Sequence, residues 1–125
     1  GLVSSYVYQC LNIPAESWSL HAGMEVTEVL TGTSSDVGYD LGITGGDVDN
    51  FVDGFDADGA AAGAYAPTPA AYAPVIVGAA DTLDILVAAQ TGTTLTGKIR
   101  VFATLMDISD AGDMAANEVD RDTLA

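Results

Sequence analysis

Sulfur, positive charge and long apolar runs are all scarce in this chain of 125 residues. The single cysteine, Cys10, excludes an intrachain disulfide. It lies in a strand-like run, where a buried and inert thiol is the ordinary expectation. One histidine, His21, and one cysteine cannot furnish a tetrahedral zinc site without several carboxylates. Three basic residues stand against 18 acidic ones, for a formal charge of −15. Such a surface repels nucleic acid phosphates and anionic lipid, so neither is an expected partner. No apolar run approaches the ~18 residues of a membrane-crossing helix, and no basic-then-apolar leader is present. The chain begins at Gly1, which is compatible with removal of an initiator Met or of a longer leader.

What is present is periodic. The chain is 49% hydrophobic, which with its patterning argues against disorder despite the charge. A chain of this length buries roughly two-thirds of its unfolded surface, enough for one domain with a real core. Period-two runs recur along it. "SSYVYQCLNI" puts Tyr6, Tyr8 and Cys10 on one face and Val7, Gln9 and Leu11 on the other. "VGYDLGI" is the clearest, with Val37, Tyr39, Leu41 and Ile43 on one face. "TLDILVAAQ" aligns Leu83, Ile85 and Val87, and "GKIRVFATLMDI" aligns Ile99, Val101, Ala103 and Leu105. With "GMEVTEVLTG", "APVIVGA" and a short run near "SWSLHA", this makes six or seven strands joined by Gly, Asp, Thr and Pro. The expected fold is all-β, a single antiparallel β-sandwich or jelly-roll-like domain over residues 1–108. Residues 109–125 form an acidic, weakly patterned C-terminal tail, able to fray or to reach a partner through Met114.

Two segments depart from the strand pattern. After Gly45-Gly46, the residues Val48, Phe51, Val52 and Phe55 fall at helical spacing. Asp47 is placed as an N-cap, Asp49 at the positive end of the helix dipole and Gly54 as the terminating residue, which predicts a short helix over 47–53. Residues 57–74, "ADGAAAGAYAPTPAAYAP", hold three of the four prolines and cannot be a central strand. Tyr65, Pro67 and Tyr72 within it read as an extended arm lying on a surface, including that of a neighbouring subunit, or else as a disordered loop. On the last strand Lys98 and Arg100 stand together opposite the apolar set. Pairing with nearby carboxylates is the expectation, and docking to an acidic partner is the alternative.

Tests for chemistry return little. Aspartates 47, 49, 53, 56 and 58 invite calcium, but with Gly59 at the sixth position of a calcium loop, its first position is Gly54 and its twelfth is Tyr65. A less regular calcium site is the remaining option beside capping and solvated aspartates. His21 has no nucleophile in a strand–turn–helix elbow beside it. "GITGGD" lacks the Lys-Ser/Thr of a phosphate loop. The aspartates sit next to turn glycines rather than in an apolar cleft, against paired-carboxylate glycosidase chemistry. The expectation is a protein without enzymatic activity, metal or cofactor. Trp18, Tyr65 and Tyr72 are candidate sugar platforms, which makes a carbohydrate-binding module an alternative.

Taken together, "VGYDLGI", "TGGDVDNFVDGFD", the Gly/Ala/Pro-rich loop and "APVIVGAADTLDILVAAQTGTTLTGKIRVFATLMDI" resemble small β-sandwich structural proteins of tailed viruses, over about Ala22 to Ile108. The resemblance implies a virion protein of the head decoration (cement) type, on the capsid exterior. Its implied partners are the major capsid protein and itself, as a homotrimer, with a tail or fibre component as the alternative. The contact residues would come from the loop, the tail and the basic pair: Tyr65, Pro67, Tyr72, Met114, Lys98 and Arg100. The acidic surface would suit a saline host.

Overall fold

The computed structural model describes residues 6–32, 35–91 and 96–108, apart from the side chains of 35 and 36. Met114 and the tail 109–125 lie outside the described residues. The chain is all-β, with no helix among the described residues. Its strands are β1 (Val7–Ile13), β2 (Ser17–Thr31), β3 (Ser35–Ile43), β4 (Val52–Phe55), β5 (Val75–Val77), β6 (Asp81–Thr91) and β7 (Thr96–Asp107). They form two antiparallel sheets, a four-stranded one in the order β1-β6-β3-β4 and a three-stranded one in the order β5-β2-β7. Between them lies a core whose fully buried members include Met24, Val26, Tyr39, Leu41, Phe51, Leu83 and Val87.

Alternation explains most of this, because side chains on a strand point to opposite faces in turn. In β3 the set Val37, Tyr39, Leu41 and Ile43 faces inward, as expected. β2 shows why its sequence reads as two separate strands. Ser17 and Ser19 are buried at odd positions, whereas Ala22, Met24 and Val26 are buried at even ones. The register shifts between Ser19 and His21, so Leu20 is the extra residue of a bulge and the phase changes there. One strand of 15 residues results. A similar irregularity between Gln9 and Leu11 shifts β1 and leaves Cys10 exposed, its thiol donating to the Tyr8 carbonyl at 3.3 Å. The expectation of a buried cysteine is therefore corrected.

The helix expected over 47–53 does not form. The chain makes successive turns through Asn50, followed by β4. Its backbone groups bond to β3 rather than to each other at helical spacing: Ile43 N donates to the Asp47 carbonyl (3.1 Å), and Phe51 N to that of Leu41 (2.9 Å). Gly42 makes the fold-back possible, because a Cβ there would stand 2.2 Å from the Asp47 carbonyl oxygen. Asp47 does cap, but it caps a turn: Asp49 N donates to its Oδ1 at 3.3 Å. Gly54, cast as the helix terminator, instead holds a φ of 68° within β4 and donates its N–H to Asp40 Oδ1 at 2.7 Å.

The segment 57–74 is neither a projecting arm nor a free loop. β5 occupies only the Ser17–Ser19 end of one β2 edge, and this segment takes up much of the remainder. Gly63 N donates to Val26 O (2.7 Å), Val26 N to Ala64 O (2.9 Å), and Ala66 N to Met24 O (3.0 Å). Asn50 anchors the far end through both amide atoms, donating to the Ala73 carbonyl at 2.8 Å and accepting from its N–H at 3.3 Å. Edge backbone that would otherwise be unsatisfied is thereby paired.

Two substitutions test this packing. Tyr39 is fully buried and its hydroxyl has no hydrogen-bond partner among the described residues. Burial, with Asp58 and Tyr8 adding, pushes the phenol up to about 12. Tyr39→Phe should therefore leave stability unchanged or raise it by up to about 1 kcal/mol in urea unfolding; a clear loss would reveal a partner for the hydroxyl. Gly42→Ala should cost about 2–3 kcal/mol in the same measurement, since only backbone can give way.

Candidate functional site

The outer face of the three-stranded sheet carries the surface features that stand out from an acidic background. Residues directly opposite one another in antiparallel strands share a face, so the register alone lays out its rows. Trp18 is paired with Ile76 on one side and with Met106 on the other. All three are exposed, by 36%, 67% and 46%, and they make an apolar row across the whole sheet. Further along, Gly23 lies opposite Phe102, whose ring covers the place a Cβ would take. His21 stacks on that ring at 6.3 Å and meets Tyr72 edge-on at 5.6 Å, and its Nε2 is 3.4 Å from Thr68 Oγ1. Tyr65 bridges to Glu25 and stands edge-on to Phe102 at 6.3 Å. Glu25 is in turn opposite Arg100, whose Nη2 is 3.3 Å from Glu25 Oε2. Lys98 and Glu28 make a second pair at 3.3 Å.

The structure thus brings together residues that lie far apart in the sequence. Tyr65 is exposed, Pro67 is exposed and Tyr72 is half-buried against His21 and Phe51, all at this face or its margin. Lys98 and Arg100 pair with carboxylates as expected; the Lys98–Glu28 pair is exposed and contributes roughly 0–1 kcal/mol, whereas Glu25 is largely covered beneath Arg100. Ile76, Met106 and Phe102 were not singled out by sequence reasoning. The signal was available, because Phe102 and Met106 are large apolar residues on the polar face of an otherwise alternating strand.

The chain matches no protein-family model, no curated protein and no solved structure.

The aspartate-rich turn lies elsewhere and builds a different environment. Asp47, Asp49, Asn50 and Asp53 line a cavity of about 160 Å³ with Pro69 and Ala71. A hydrogen bond with Asp47 and repulsion from Asp47, Asp53 and Asp40 raise the Asp49 carboxyl above the usual range. Asp56 Oδ1 accepts from Asp58 N at 3.0 Å, another turn cap. Among the described residues no group of three His, Cys, Asp or Glu side chains is arranged to hold a metal ion, and no helix is long and apolar enough to cross a membrane. Two further carboxyls are buried in the four-stranded sheet. Burial raises both Asp84, with Asp81 adding, and Asp40, against the opposing hydrogen bond from Gly54.

Raised carboxyls have a thermodynamic sign. The folded state holds protons that the unfolded chain has released, so stability falls as pH rises from the ordinary carboxylate range through the raised folded values. The melting temperature should therefore increase as the pH is lowered from 7 towards the ordinary carboxylate range, and Asp84→Asn should shrink that increase. A melting temperature that drops on mild acidification would contradict this assignment.

Proposed function

We propose that this chain is a virion structural protein, a decoration (cement) protein that binds the outer surface of a major capsid protein lattice and stabilises the head. The observation that carries the reading is the Ile76–Trp18–Met106 row. A contiguous apolar band on a protein of charge −15 is a contact surface rather than a solvated one. The resemblance over Ala22 to Ile108 supplies the virion context, and the rigid, loop-stitched sandwich suits a protein that must hold its shape on a shell. The His21 ring is engaged by Phe102, Tyr72 and Thr68, which favours an architectural histidine over a catalytic one. Self-association belongs to the same reading, and its three-fold form rests on the resemblance alone. Many weak, simultaneous contacts would then hold the protein on a repeating lattice.

Exposed Tyr65, set edge-on against Phe102, favours a carbohydrate-binding module as the second reading. Three measurements separate the possibilities. A cement protein is present at a copy number that scales with the capsid lattice, and its removal lowers the temperature at which heads break. A low, fixed copy number would move it to the tail or a fibre. Trp18→Ala should weaken attachment to undecorated capsids by about 2 kcal/mol, or roughly thirty-fold, with the fold intact by circular dichroism. Glycan-array binding abolished by Tyr65→Ala would instead support the carbohydrate reading.

A further inference from the structure

β7 is paired along one edge only. It follows β2 from Thr31↔Thr96 to Ser17↔Asp107, and among the described residues no strand is paired with its other edge. Proteins usually blunt a free edge with charged side chains, proline, a bulge, short length or an inward charge. In β7 the two basic side chains, Lys98 and Arg100, are already engaged by Glu28 and Glu25, and the one charge in the inward phase, Asp107, is the last residue of the strand. The strand runs for 12 residues without proline, and the extra residues at each irregularity in its pairing belong to β2, although Gly97 near its start holds a φ of 136°. Its inner row is also unfinished, with Ile99, Val101 and Ala103 only half-buried and Leu105 exposed.

Charge narrows the possible occupant. Of 18 acidic residues none lies between Thr96 and Met106, and the neighbouring edge strand β1, which touches β7, has no charged residue at all. Along Thr96–Met106 the β7 edge itself therefore adds no carboxylate to the approach of two molecules of charge −15.

We propose that β7 pairs antiparallel with β7 of a second copy about a two-fold axis at Phe102, joining two three-stranded sheets into one of six. Paired residues must share a face, which allows only registers centred on a residue. Centring on Arg100 sets two guanidinium groups side by side, and centring on Ala103 sets Ile99 against Asp107. Centring on Val101 leaves Leu105 opposite Gly97. Centring on Phe102 matches Ile99 with Leu105 and Val101 with Ala103 on the inner face, and Arg100 with Thr104 on the outer face. The half-covered apolar row is then completed by its own counterpart. The inference does not depend on the virion reading, and it commits the purified protein to a two-fold rather than a three-fold seam.

The register provides its own test, because Thr104 is exposed and faces Arg100 of the other copy twice per dimer. Sedimentation velocity of the full chain over a concentration series, without capsids, should show a reversible monomer–dimer equilibrium. Thr104→Glu should tighten it and Thr104→Lys weaken it, each by about three- to ten-fold, with circular dichroism unchanged. The opposite signs exclude a mere loss of fold. A monomer at every concentration, a trimer, or equal effects of the two substitutions would overturn the proposal.

Discussion

Every layer of this molecule depends on β2 having both of its backbone edges occupied. A strand of 15 residues presents many N–H and C=O groups, and each one buried without a partner costs as much as a lost hydrogen bond. β7 covers one edge, while β5 and the segment around Gly63–Ala66 share the other. This requirement gives the proline-rich connection its course. It also explains why three residues suffice for β5, since the connection continues the work of a strand without being one. The bulge at Leu20 then lets the same strand bury serines at one end and Met24 and Val26 at the other.

The aspartates obey a related logic. Their side-chain oxygens accept backbone N–H groups where the chain turns too sharply for sheet pairing, as Asp47 and Asp56 do, while Asp40 accepts from Gly54 across the irregular β3–β4 pairing. Gly42 supplies the space in which the turn lies on β3. Carboxylates used in this way crowd one another, and that crowding raises Asp49. The acidity of the chain is thus partly structural, spent on turns as well as on solvation.

The fold class was legible in the sequence because period-two alternation is a direct imprint of a half-buried strand, and Val37–Ile43 and Leu83–Val87 carry it cleanly. Three kinds of feature were hidden. The spacing of Val48, Phe51, Val52 and Phe55 matches a helix, yet a tertiary approach at Gly42 gave the backbone better partners on β3. The phase slips at Leu20 and near Cys10 split one strand and misassigned a thiol, because a bulge leaves no residue signature. Of the apolar row, Met106 alone stood out in the sequence as an apolar residue on a polar face, but the row itself needs the register, since Trp18, Ile76 and Met106 are brought together only by pairing across β2. Tyr65 and Arg100 were each singled out, but their common neighbour Glu25 emerged only from the folded chain.

The strand order has a consequence in time. Except for β3 with β4, neighbours within the sheets are distant in sequence: β1 joins β6, and β2 waits for β7, with Ser17 opposite Asp107. Loop closure must come before most of the stabilising contacts, which makes such a topology slow to form. During synthesis the spine strand is made early and its longest partner last. The chain therefore cannot complete its core until β7 has left the ribosome.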